Sequence, residues 1–213
     1  MARDREERVR PGSTARYPAG TVRALLEGPH VSAATRAVLE ARLAARTTPA
    51  PRFFDIATFA TLSAVCERLV PESIGRVSVA AMIDTRLADG MTDGWRYDAM
   101  PPDGDAYRLG LLGVDEHAHQ RFGAAFVSLG DAPQDAVLRE IQRTDVRGGV
   151  WDRVPAARFF EELLAEAVEC FFSHPLAQEA IGYAGMADVP SWTSIGLDRL
   201  DAREPRAVRR TRE

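Results

Sequence analysis

Along most of the chain apolar residues recur at intervals of three and four, the period of a helix with one buried face. "VSAATRAVLEARLAAR" (31–46) reads as a helix with Ser32 at its N-cap, ending in the linker-like "TTPAPR". "DIATFATLSAVCERLVP" places Phe59, Leu62, Cys66 and Leu69 at helical spacing, with Asp55 as cap and Pro71 as stop. "SVAAMIDTRLADG" (78–90) repeats the formula between Ser78 and Gly90. Helical patterning returns at Asp105, through "AYRLGLLGVDEHAHQRFG", and again after Asp131, where Asp131 and Gln134 have the spacing of a capping box. The clearest stripe lies in "PAARFFEELLAEAVECFF". There Phe160, Leu163, Leu164, Ala167, Val168 and Phe171 share a face, while Arg158, Glu161, Glu162 and Glu169 lie largely off it. No segment of similar length alternates with period two, which predicts an all-α fold.

Two stretches break the pattern. The loop from Gly90 to Asp105, "MTDGWRYDAMPPDGD", is too dense in Gly, Pro and Asp for regular structure. At about 15 residues it is long enough to be a binding element. The other runs from Ala177 to Leu200. The expected organisation is a single helical domain with long irregular loops over residues 53–201, preceded by a partly helical basic N-terminal extension (1–52) and followed by a basic tail (202–213).

Charge narrows the function classes. Residues 1–52 hold 10 Arg against 5 acids, 53–201 hold 12 against 24, and 202–213 hold 5 against 2. An acidic body repels phosphate, which argues against nucleic-acid binding and leaves the basic flanks as solvated ends. All 27 cationic residues are Arg. The absence of Lys excludes a P-loop and any Schiff-base mechanism. Cys66 and Cys170 are too few and too far apart for a zinc ribbon or a disulfide framework, and both fall in apolar helical stretches as buried thiols. "MARDREERVRPGSTARYPAG" has no apolar h-region, and no run approaches the roughly 18 apolar residues of a spanning helix. The expected location is the cytoplasm, with the periplasm reached only if a partner carries the chain there.

Candidate chemistry is sparse. In "DEHAH" (115–119), His117 and His119 stand about 200° apart on a helix and cannot share an ion; only Asp115 and His119 could, and two ligands are not a site. Glu162, Glu166 and Glu169 occupy adjacent turns, but no repeated Glu-x-x-His accompanies them, and no carboxylate pair has a His or Arg at a spacing that suggests tuning. Neither Gly-x-Ser-x-Gly nor Gly-x-Gly-x-x-Gly occurs. No catalytic, metal-binding or cofactor-binding residue is therefore assigned to this chain. Trp95, Tyr97, Trp151, Tyr183 and Trp192 lie outside the helical stripes, where such rings serve either as partner anchors or as caps on their own core. Trp95, Tyr97, Tyr183 and Trp192, in the two irregular stretches, are the candidate partner-binding residues.

The segments "FATLSAVCERLVP" (59–71), "AAMIDTRLADG" (80–90), "YRLGLLGVDEHAHQRFGAAFVSLGDAPQDAVLREIQ" (107–142) and "FFEELLAEAVECFFSHP" (159–175), followed by Trp192, Ile195 and Gly196 as W-x-x-I-G, together resemble the gluconate 2-dehydrogenase subunit 3 family. The resemblance implies a non-catalytic small subunit that supports the folding, assembly or export of an FAD-dependent sugar or alcohol dehydrogenase of the glucose-methanol-choline type. The flavin would sit in the large subunit, with a cytochrome or other acceptor reached through it. The chain departs from the family in lacking the twin-arginine signal and the Gly-Gly-Asn run after Pro175. His174, where the family takes His or Asp before Pro, is implied to serve a helix C-terminus or loop, where the dipole would favour its charged form. The alternative is a stand-alone helical protein holding a small ligand or metal through Asp115 and His119.

Overall fold

A computed structural model of the chain describes residues 18–44, 50–70, 77–92 and 97–183. Pro71, Trp95, Trp192 and the tail from 202 lie outside them. The described residues form eight α-helices and no strand, the all-α fold that the periodicity predicts. They are α1 (Thr21–Glu27), α2 (Ala33–Ala44), α3 (Ile56–Leu69), α4 (Val79–Ala88), α5 (Asp103–Phe122), α6 (Asp131–Gln142), α7 (Ala156–Phe172) and α8 (Pro175–Ile181). Two compact units result, one of residues 18–44 with 172–183 and one of residues 50–171.

Local side-chain caps set the starts of α2, α3 and α4. Asp55 accepts from the Thr58 amide at 2.8 Å, Ser78 from Ala81 at 3.4 Å and Ser32 from Thr35 at 3.3 Å, each meeting an amide with no partner inside its helix. Gly90 closes α4 with φ of 65°. The capping box at Asp131 does not form. Gly130 is the N-cap, Gln134 Nε2 instead donates to the Phe126 carbonyl at 3.0 Å, and Asp131 pairs with Arg68 of α3 at 3.0 Å. Tertiary partners win here over a local bond worth about 1 kcal/mol. Helix α5 starts at Asp103, two residues before its apolar pattern begins.

In the larger unit α5 packs against α3 and α6 and receives the rings of α7 and the turn before it. A Cβ at Gly110 would lie 2.2 Å from the Phe159 ring, and one at Gly113 would lie 2.6 Å from Trp151. Glycine weakens a helix by about 1 kcal/mol; here it lets two aromatic rings press on the backbone of α5. Phe159 is thus a core residue, while Val168, placed on the buried stripe from the sequence, is 39% exposed. The stripe of α7 runs through Ala156, Phe159, Phe160, Leu163, Ala167 and Phe171, rotated toward the N-terminal rings. Asp84, 3% exposed on α4, accepts the amides of Arg52, Phe53 and Phe54 at 2.7, 3.0 and 3.0 Å, which fixes the chain as it approaches α3.

The smaller unit buries Val22, Leu26, Val31 and Leu39 between α1, α2 and α8. Part of the second irregular stretch is therefore helical, since α8 covers residues up to Ile181. His174 stands two residues beyond α7, as a helix-end role requires, but its side chain serves the next helix. Its Nδ1 accepts from the Leu176 amide at 3.3 Å as the N-cap of α8, with Pro175 at the first helical position. Its Nε2 donates to the Arg42 carbonyl at 3.1 Å, and Arg42 Nη1 donates to the Ser173 carbonyl at 2.7 Å. A ring that accepts at one nitrogen is neutral, so the expectation of a charged His174 is overturned. Burial is the largest cause, and the nearby Arg42 charge adds to it, holding this imidazole below its usual pKa despite the hydrogen bond to Arg42.

The sign follows. The unfolded chain takes up a proton near pH 6.5 that folded His174 resists, so its contribution is full above that pH and is lost as pH falls toward the folded value. We expect the melting temperature to decline between about pH 7 and pH 5 more steeply for the wild type than for His174→Asn, which keeps a capping oxygen without titrating. Parallel slopes for the two proteins in calorimetry would count against this role.

Candidate functional site

The cleft of about 350 Å³ in the larger unit is framed by α4, α5 and α7 and by the segments around Met91 and Tyr97–Pro101. Glu162, Glu166 and Glu169 line it because their spacing of four and three puts them on one face of α7. Glu166 is flanked on that face by Phe159 and Cys170, so its carboxylate is carried to the edge of the apolar stripe and needs a partner.

The partner is Arg86, 80 residues earlier, in the last turn of α4. Its Nε and Nη2 donate to the two Glu166 oxygens, the second at 2.9 Å, in a bidentate pair. Its Nη1 donates to Asp103 at 3.0 Å and to the Met91 carbonyl at 2.7 Å. Tyr107 Oη also donates to Glu166, and the Arg86 guanidinium stands 6.0 Å from the centre of that ring. The Arg86 and Glu166 side chains are 25% and 16% exposed. Burial works against the charge of Arg86, but Glu166 and Asp103 outweigh it and hold the guanidinium more firmly protonated than a free one. Burial, and next the Glu166 charge, pushes the Tyr107 phenol well above its usual range, so it stays a donor. The Arg that meets this carboxylate lies 80 residues away, so no spacing along the chain could show the pair. A closed set of donors and acceptors of this kind fixes geometry rather than moving protons.

Cys170 lines the cleft and Cys66 is buried. Burial first, then Cys170 and Glu166, pushes the Cys66 thiol up, away from nucleophilic thiolate. Asp115 is occupied by the Phe126 amide at 2.8 Å, and His119 reaches its other oxygen only at 3.7 Å. His117 turns the other way, as expected, to Glu140 at 2.7 Å on α6, and that contact is the main cause that lowers the Glu140 pKa. Among the described residues no three His, Cys, Asp or Glu side chains are placed to hold a metal ion.

Of the four candidate partner-binding residues, Trp95 and Trp192 are outside the described residues. Tyr97 is half-buried in the cleft wall, with the Arg158 guanidinium 4.3 Å from its ring centre. Tyr183 is 51% exposed just beyond α8, in the smaller unit. Trp151 is a core cap, tilted against Phe159 at 6.2 Å. Arg86 and Tyr107 were missed because nothing local distinguishes them. The one signal was Glu166, a carboxylate between Phe159 and Cys170.

The family model described as Gluconate 2-dehydrogenase subunit 3 matches residues 57–189, and the chain belongs to that family. No curated protein and no solved structure matches the chain. No helix among the described residues is long and apolar enough to cross a membrane.

Removing the shared acceptor should be costly. Glu166→Ala leaves Arg86 and Tyr107 facing a void and should lower the unfolding free energy by about 3 kcal/mol. Glu166→Gln, which keeps one acceptor oxygen, should lose less. Urea denaturation of the isolated chain measures both, and a Glu166→Ala protein as stable as the wild type would remove the network from its structural role.

Proposed function

We propose that this chain is a non-catalytic small subunit that binds an FAD-dependent sugar or alcohol dehydrogenase of the glucose-methanol-choline type and supports its folding, assembly or export. The observation that carries the reading is the family match across residues 57–189, more than half of the chain. The closed Arg86, Glu166 and Tyr107 network agrees with it, since these groups are spent on structure. On this reading the flavin belongs to the large subunit, and electrons leave through a cytochrome or other acceptor bound there. Tyr97, Tyr183, Trp95 and Trp192 remain the candidate anchors. Tyr183 has the strongest claim among those described, because a half-exposed ring has little of its own core to cap.

Affinity purification from the native host tests the reading. The expected product is a yellow complex with a flavoprotein more than twice the size of this chain. A colourless monomer with bound metal would reject it in favour of the stand-alone ligand-binding protein. In the same format, Tyr183→Ala should weaken the complex about thirtyfold, the loss of about 2 kcal/mol typical of one anchor, without changing the melting temperature of the isolated subunit. An early-melting variant that still binds normally would return that ring to the core.

Location follows from the partner on this reading. The chain stays in the cytoplasm alone and reaches the periplasm only when a folded partner with an export signal carries it. Fractionation of cells with the large-subunit gene present and deleted should show the chain shifting between compartments. Retention in the cytoplasm while the partner is exported would exclude carriage.

A further inference from the structure

We propose that the smaller unit is an acid-sensitive element: a proton taken up by His174 in a mildly acidic medium opens α1, α2 and α8 together, while the larger unit stays folded. The opening is local, and it stands whether or not the chain is a dehydrogenase subunit.

His174 makes two contacts in this unit that together require a neutral ring. Nδ1 accepts from the Leu176 amide at 3.3 Å and starts α8, and Nε2 donates to the Arg42 carbonyl at 3.1 Å, which holds α8 to the last turn of α2. A proton on Nδ1 turns that acceptor into a second donor aimed at an N–H. The start of α8 then loses its cap, and the positive end of its dipole faces a like charge on a ring only 6% exposed. The surrounding charges do not offset this. From α2, Arg42 is the charge that acts on the ring, and its guanidinium sits at the Ser173 carbonyl, 2.7 Å away. Arg36 of α2 is turned to the carbonyls of Gly28 and Val31, and Glu40 is exposed. On α1, Arg23 and Glu27 are exposed, and on α8 Glu179 is turned to the amides of Gly20 and Val22. His30, between α1 and α2, is the other imidazole of the unit, with its Nδ1 buried and unpartnered.

The unit is small enough for one proton to matter. Its core is Val22, Leu26, Val31 and Leu39, with Leu43 packed against them. Helices α1 and α8 are too short to persist alone, and each is begun by a side chain that depends on the other elements staying in place. Losing the start of α8 frees Glu179 from its helix, and the start of α1 goes with it, so the three helices open as one. The larger unit closes over a separate core in which Leu62, Ile83, Leu111, Phe126 and Ile141 are fully buried. Tyr183 stands on the unit that opens, so the change reaches an exposed aromatic ring.

Hydrogen exchange of the full chain, followed peptide by peptide and divided by the intrinsic chemical rate at each pH, separates local from global opening. Burial holds folded His174 below its usual pKa, whereas the unfolded ring binds a proton near pH 6.5, so protection is full above that pH and is lost as pH falls toward the folded value. Between about pH 7.5 and about pH 5.5, peptides from 18–44 and 172–183 should lose protection by at most about tenfold per pH unit, the limit for one proton taken up on opening. Peptides from 50–171 should stay within about twofold. His174→Asn and His174→Gln, which hydrogen-bond without titrating, should flatten the slope even where they lower protection overall. His30→Gln should keep the wild-type slope. Glu179→Gln, which weakens the cap of α1 without touching the imidazole, should lower protection by one factor at every pH. A wild-type slope in both His174 variants would overturn the proposal, as would a flat slope in His30→Gln, which would place the proton on the other ring. A smaller unit whose protection ignores pH, or a larger unit that loses protection in parallel, would overturn it too, because the response would then be absent or global.

Discussion

Arg86 carries a full charge into a position only a quarter exposed, where each donor left unmet costs free energy, so the groups that meet it are bound to occupy set places. Arg86 stands in the last turn of α4, and its partners come from the chain just after that helix, the first turn of α5 and the middle of α7. Moving any one of these elements strands a donor or an acceptor. An ion pair of this kind adds little net stability over a well-packed apolar replacement, because desolvating both charges offsets most of their attraction. What it adds is discrimination. Apolar side chains in the same places would let α4 and α7 slide in register, while a bidentate guanidinium tolerates one arrangement.

The spacing that the pair requires is set by rings and glycines. Phe159 lies two turns before Glu166 on the same side of α7 and rests on Gly110, where the backbone of α5 has no side chain to hold it off. Tyr107 meets Phe159 edge-on at 6.2 Å and presents its hydroxyl to Glu166. A bulkier residue at Gly110 would therefore act on more than the ring it touched. It would lift α7 from α5 and pull Glu166 away from Arg86 and Tyr107, coupling core packing to the shape of the cleft.

What the sequence disclosed and what it withheld divide along the range of the interactions. Asp55, Ser78 and Gly90 act within four residues of themselves, and their roles were legible. So was the all-α class, which rests on repeated local periodicity. Gln134 and Asp131 show the limit, because their spacing permits a capping box, yet Phe126 and Arg68, brought close by the fold, compete for the same side chains. Helix α8 was read as irregular because seven residues are too few to establish a period, and its N-cap is a histidine. The cleft was least legible. Its charge pair spans 80 residues, and only the odd placement of Glu166 beside Phe159 and Cys170 hinted that a cation must come to it.

The smaller unit shows how segments distant in sequence can make one another stable. Helices α1 and α8 have seven residues each, well below the length at which a helix holds in water by itself. Gly20 gives α1 no side-chain cap, and Glu179 of α8 supplies one, its two oxygens accepting the amides of Gly20 at 3.1 Å and Val22 at 2.9 Å. The carboxylate also meets the positive end of the helix dipole. At the other end of α1, Arg36 of α2 donates to the Gly28 carbonyl at 3.0 Å. Both ends of α1 are thus completed from outside it, and His174 ties the start of α8 back to the Arg42 carbonyl in α2. The family match begins at residue 57, beyond α1 and α2, yet it includes His174 and Glu179, which hold those two helices. Loss of the N-terminal helices would accordingly leave a buried imidazole and a dipole-facing carboxylate without their partners. Residues 18–44 are for that reason part of what keeps the end of the matched region folded, and not a detachable addition to it.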